Sequence, residues 1–98
     1  MSQNRQVISS SEEIMKVAVE DVEFPFGFEL YDIRKYLLRT IKNGLLEDIR
    51  KNGIQTPIFI RWNPRTNKWT VVNGKHRVIV AKHLGISIVE AIEKRNKK

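Results

Sequence analysis

Trp69-Thr70-Val71-Val72-Asn73-Gly74-Lys75-His76-Arg77, running on through Val78-Ile79-Val80-Ala81-Lys82-His83-Leu84 to Gly85, is the stretch from which the fold can be read. Its first four residues are aromatic or mostly β-branched and fit a strand. Asn73-Gly74 turns the chain, and Lys75 to about Leu84 reads as a helix that Gly85 closes. The first N–H groups of a helix have no internal acceptors. Together with the helix dipole they make an anion site. Gly74 lets a ligand approach the backbone closely. Arg77 suits bidentate phosphate recognition, Lys75 acts as a point charge, and His76 is a neutral donor or proton shuttle. A blander reading makes Asn73 an N-cap and the three basic residues a solvated helix start. Cations at a helix N-terminus oppose the dipole, however, and three in succession make more sense with an anion to neutralise them. The turn is not a Walker P-loop. Trp69 stands where the earlier glycine belongs, and His76 where Ser or Thr belongs.

Working outward, Pro57 introduces the apolar run Ile58-Phe59-Ile60, which ends at Trp62. The segment 63–68, with Pro64 and Asn67, reads as the turn of a hairpin whose second strand is Trp69 to Val72. Before it, a helix from about Leu45 to Lys51 stops at Asn52-Gly53. Earlier still, Leu30, Ile33, Leu37 and Ile41 form a helical stripe, with Tyr31 and Leu38 beside it. Phe24-Pro25-Phe26-Gly27 reads as a break. Met15, Val17 and Val19 alternate with polar or small residues as a strand does. Ile86 to Ile92 is a β-branched run and a last strand. The predicted order is strand, helix, helix, hairpin, helix, strand. That is an α+β domain with a small mixed sheet, one hairpin and about three helices. Residues 1–13, with Ser9-Ser10-Ser11, are expected to be a flexible polar arm, 14–93 the domain, and 94–98 a basic tail.

The chain has 98 residues, 41% of them apolar, which suits one compact domain. Eighteen basic against 11 acidic residues give a net charge of +7. That excess in so small a domain favours polyanionic partners. The sequence contains no cysteine, hence no disulfide or thiolate ligand. His76 and His83 have no cysteine partners, so no metal site is expected. No apolar run is long enough to span a bilayer, and no secretion signal is evident, so a cytoplasmic protein without membrane contact is expected.

Two blocks resemble a known family. Leu45 to Ile58 resembles the helix and G-x-x-x-P-I block of ParB N-terminal domains, here Gly53, Pro57 and Ile58. Trp69 to Gly85 resembles the block that follows, a strand, a G-x-x-R box and an alanine-containing helix. Ile86 to Ile92 then matches the closing strand, and Val17 to Pro25 the opening strand and link. The likeness covers roughly Val17 to Glu93 and implies the ParB/sulfiredoxin-like fold. In that superfamily ParB proteins bind and hydrolyse CTP while clamping DNA, and sulfiredoxins use ATP to repair peroxiredoxin. A free-serine kinase and nuclease-like domains also belong to it. The resemblance implies nucleotide phosphates near Gly74 to Arg77, with Arg77 as phosphate ligand and Gly74 as the close-approach glycine. It implies a nucleoside triphosphate with Mg²⁺ as candidate cofactor. Arg39 is the candidate for the family's further phosphate-contacting arginine, with Arg34 the alternative. Lys75 departs from the family: sulfiredoxin's G-C-H-R has its catalytic cysteine there, and ParB's G-E-R-R a glutamate. The ParB helix-turn-helix has no counterpart before Lys98.

The phosphate or nucleotide site is therefore assigned to Asn73, Gly74, Lys75, His76, Arg77 and Arg39. A nucleic-acid surface is assigned to Arg61, Trp62, Arg65, Lys68 and Trp69, where bases would stack on the indoles. The alternative for Trp62 and Trp69 is a cross-strand pair that stabilises the hairpin. His83 reads as structural, and Glu47 and Asp48 as a solvated charged face. The expected function is a ParB-like nucleic-acid-binding domain, DNA ahead of RNA, with nucleotide as a second partner and a plasmid, viral or chromosome-maintenance setting. The alternatives are a phosphoryl-transfer enzyme (NTPase, kinase or nuclease) and an interaction module that dimerises through the Leu30–Ile41 helix.

Overall fold

The computed structural model describes residues 13–94. Of the arm expected over 1–13 only Glu13 lies within it, and of the tail over 94–98 only Lys94; the remainder lies outside the described residues. The chain runs as β1 (Ile14–Ala18), a 3₁₀ turn (Val19–Asp21), β2 (Val22–Glu23), α1 (Leu30–Lys42), α2 (Leu45–Asn52), β3 (Ile58–Asn63), β4 (Lys68–Asn73), α3 (Lys75–Leu84) and β5 (Ile88–Glu93). This is the expected α+β arrangement, with one strand more than the sequence reading. The extra strand, β2, is two residues long and pairs parallel with β4, Val22 opposite Trp69 and Glu23 opposite Thr70. The final strand also starts at Ile88 rather than Ile86.

The five strands form one mixed sheet in the order β1-β5-β3-β4-β2. Alternation along each strand sends Val17, Val22, Ile58, Ile60, Val71, Val89 and Ala91 into the core, where they meet Val78 and Ala81 of α3. The middle of α3 is buried through a full turn: Val78, Ile79, Val80 and Ala81 are each at most 3% exposed. A helix that is apolar all round must be covered all round. Here the sheet covers one side, and α1 and α2 pack against α3 from the other.

The helical stripe expected on α1 is corrected by the structure. Leu30 and Ile41 are 63% and 55% exposed, and the inward face is instead Ile33, Tyr36, Leu37 and Thr40. Thr40 is fully buried, its hydroxyl donating to the Leu37 carbonyl at 2.7 Å. A polar residue whose hydrogen bond is satisfied within its own helix can occupy a core position that hydrophobic periodicity assigns to a neighbour.

Candidate functional site

The opening of α3 is built by a glycine under constraint. Gly74 is the N-cap, with φ +108° and ψ 24°, in left-handed territory that L side chains rarely adopt. A Cβ there would lie 2.9 Å from Ile58 Cγ2 and 3.1 Å from Ile58 Cβ, so the helix can start this close to β3 only without a side chain. Asn73 is the last residue of β4, exposed, and does not cap the helix, so the blander capping reading is set aside. Among the described residues no side chain caps α3, and the first amide engaged is that of Val78, which donates to the Gly74 carbonyl at 3.0 Å. The N–H groups of Lys75, His76 and Arg77 are left pointing out of the helix end. α1 differs, and α2 in part: it too starts on a left-handed glycine, Gly44, with no cap from that residue's side chain, but its first amide is served from Asn43. Glu29 and Asp32 close a reciprocal capping box on α1, and Asn43 Oδ1 accepts from the Leu45 amide of α2 at 3.0 Å.

Cations surround those amides. The guanidinium of Arg77 folds back over Gly74, its Nη1 3.0 Å from where a Cβ would stand. His76 stacks on Tyr36 of α1 with ring centroids 4.4 Å apart and an interplanar angle of 22°. The Arg39 guanidinium carbon lies 5.4 Å from the Tyr36 ring centre. The inward turn of Tyr36 thus brings Arg39, one helical turn later, to the α3 opening. Phe28 meets the other side of Tyr36 edge-on at 5.0 Å and carries Lys75 Nζ 5.9 Å above its own ring. Burial holds His76 below its ordinary value, and the charges of Arg39, Arg77 and Lys75 depress it further. The only ion pair among the described residues is Arg50–Glu47, so none of these cations is neutralised by a carboxylate. The alternative arginine, Arg34, is exposed on α1, as Arg39 is, and it is Arg39 whose guanidinium lies over the Tyr36 ring.

The donor set fits an anion: the first amides of α3 are free, Arg77 folds over Gly74, and the charges of Arg39, Arg77 and Lys75 are all felt at His76. These are the groups that take phosphate oxygens. A nucleoside triphosphate could seat its phosphates there, and Mg²⁺ carried on those phosphates takes few ligands from a protein.

The residues of the expected nucleic-acid surface lie around the β3–β4 hairpin but not on one platform. Trp62 pairs with Trp69 across the strands, edge to face at 4.9 Å, as a hairpin-stabilising pair. Trp62 remains 40% exposed, whereas Trp69 packs against the core. Lys68 is tied down, Nζ donating to the Glu20 carbonyl at 3.1 Å, and Arg65 is exposed in the turn. Arg61 stands opposite Thr70 and lines a groove of about 450 Å³ together with Pro25, Trp62, Val72 and Lys75.

Glu23 went unread in the sequence. Its Oε2 accepts from Asn63 Nδ2 at 3.0 Å, Thr66 Oγ1 at 2.8 Å and Thr70 Oγ1 at 2.9 Å, clamping the hairpin to β2. Burial pushes its carboxyl up, but those hydrogen bonds and the Lys68 charge outweigh it and leave it below the usual value. No local pattern marks this residue, because all three partners lie at least 40 positions away.

The profile of the ParB N-terminal domain matches residues 3–98. The chain belongs to the ParB N-terminal domain family. Solved structures agree on the fold. The C-terminally truncated chromosome-partitioning protein ParB from Caulobacter crescentus, complexed with CTP-gamma-S, superposes with a TM-score of 0.63 at 18% identity. That match covers 88% of this chain and 46% of the other, so this ParB-family chain spans about half the length of that protein. Sulfiredoxin from Arabidopsis thaliana gives 0.62 at 18% identity, covering 86% of both chains. A free serine kinase in complex with AMP gives 0.63 at 14% identity, covering 94% of this chain and 35% of that one. No curated protein sequence matches. Among the described residues no helix is long and apolar enough to cross a membrane.

Proposed function

We propose that this ParB-family domain binds phosphate-bearing ligands, nucleic acid and nucleotide, at the start of α3. The observation that carries the reading is the N-terminus of α3, uncapped among the described residues, with Arg39, Lys75 and Arg77 gathered around His76 and no ion pair from a described carboxylate to any of them. A phosphate seated there supplies the missing N-cap and satisfies the amides. It also reverses the repulsion among the cations. Gly74 allows its close approach, and Arg77 and Arg39 clamp it from two elements. Tyr36 acts through Arg39 as a positioning residue. The net charge of +7 adds a sequence-independent attraction to polyanions. In a domain that binds DNA and nucleotide at one shared site, nucleotide competes with nucleic acid.

Calorimetric titration of nucleoside triphosphates with Mg²⁺, and of short oligonucleotides, against wild type and Arg77→Ala tests this. Loss of a charge-assisted contact of about 1.5–3 kcal/mol weakens binding about tenfold or more. Affinity that falls steeply with salt is the expected companion. Absence of binding at low salt, or an Arg77→Ala affinity equal to wild type, refutes the reading.

A further inference from the structure

Resting on the phosphate site proposed above, we infer that its nucleic-acid ligand is a single strand, which leaves the α3 opening along the groove from Lys75 to Arg61. Lys75 belongs both to the cation cluster and to the wall of that groove. Thr70 lies four residues before Gly74, about 13 Å along an extended strand. Arg61 stands directly across from Thr70. The groove therefore carries a second cation rooted about four strand residues away from the helix amides.

Arg61 is exposed and has no carboxylate partner among the described residues. A nucleoside triphosphate bears all its charge at one end and would set its base against this guanidinium. A strand repeats its charge along its length and offers Arg61 a phosphate of its own. Trp62, lining the same groove with 40% of its surface open, gives a base a ring to stack on. A base held in a duplex has no free face for such a contact, so the surface favours a single strand. Glu23 lies across Thr70 from Arg61, with Oε2 turned onto Asn63, Thr66 and Thr70. That clamp holds the groove wall in shape before a ligand arrives.

The test is fluorescence anisotropy or calorimetry with a nucleoside monophosphate, with di- and tetranucleotides of one base, and with a short duplex. Wild type, Arg61→Ala, Arg61→Lys and Arg77→Ala are compared, each shown to be folded by circular dichroism. Tetranucleotide affinity is expected to exceed that of the monophosphate by about tenfold or more. Arg61→Ala should reduce tetranucleotide affinity at least about fivefold more than monophosphate affinity. It should also lower the salt slope for the tetranucleotide by about 0.7. Arg61→Lys should keep most of the length dependence. Affinity that is flat with length while the monophosphate still binds overturns the groove and leaves the phosphate site standing. So does a duplex that binds tighter than the single strand. Failure of every ligand to bind overturns both.

Discussion

Replacing Gly74 with alanine probes the site and the fold at the same atom. The backbone at φ +108° would have to be held there by a residue with a side chain, a strain of about 1–3 kcal/mol. The new methyl would also meet Ile58, with Cγ2 at 2.9 Å and Cβ at 3.1 Å. Ile58 is 0% exposed and cannot retreat, so this is core overpacking at about 1–3 kcal/mol. Arg77 Nη1, at 3.0 Å, is the end of a flexible side chain and adds little. The two larger effects together give about 2–6 kcal/mol. At about 4–8 °C for each kcal/mol in a domain this size, the midpoint falls by about 10–50 °C. Gly85→Ala is the internal control. Gly85 also has positive φ, +76°, but a Cβ there meets nothing within 4 Å. Its substitution carries only the conformational penalty, about 1–2 kcal/mol. Urea unfolding followed by tryptophan fluorescence, checked by thermal melts, reports both variants. Equal destabilisation by Gly74→Ala and Gly85→Ala would refute the close packing of the α3 opening against β3. With it would go the argument that a glycine is kept there for contact.

Glu23→Ala should cost about 1–3 kcal/mol, because three donors lose one acceptor. The carboxyl sits below its ordinary 4.5 in the fold, so its contribution is full above that value and is lost as the pH falls through the depressed one; acid unfolding of the variant should start from a lower plateau and be less steep. His76 is depressed from 6.5, so its neutral form favours the fold above that pH and the contribution is lost as the pH falls through the lower folded value. A bound phosphodiester shifts His76 the other way against Arg39, Arg77 and Lys75, so binding takes up a proton and tightens from pH 7.5 toward pH 5.5; an oligonucleotide titration that is flat with pH, or equally sloped in His76→Asn, would speak against this.

The parts of the fold that local chemistry dictates were legible. The glycines at 53, 74 and 85 mark helix ends or starts that the structure keeps, and α3 spans Lys75–Leu84 as the pattern predicts. The hairpin was legible from its Pro-Asn turn between two apolar runs. The parts missed depend on residues far apart in sequence. β2 has two residues and exists only because Trp69 and Thr70 offer it a ladder. The phase of α1 was read from Leu30, Ile33, Leu37 and Ile41; Ile33 and Leu37 do turn inward, but Tyr36 and Thr40 join them there in place of Leu30 and Ile41. That same phase decides the site, because Tyr36 facing inward is what carries Arg39 toward His76, 37 residues further along. The choice of Arg39 over Arg34 came from the resemblance. Both arginines are exposed on α1, and the contact that sets Arg39 apart is its guanidinium over Tyr36.

The three helices handle their free ends differently. α1 closes with a capping box, and Asn43 serves the first amide of α2. α3 has no cap, no acidic residue in its first turn, three basic residues there and a glycine in left-handed conformation pressed against the core. A missing cap costs about 0.5–2 kcal/mol, and each opposed cation a few tenths to about 1 kcal/mol. These unfavourable choices fall on the helix best able to carry them. α3 buries four consecutive apolar residues between the sheet and its two neighbours, and each buried valine or isoleucine contributes about 1.5–3 kcal/mol. Where local rules fail together at one turn of an otherwise consistent fold, function is the usual cause. The single change that would relieve the missing cap, the idle amides and the crowded cations is an anion at the start of α3.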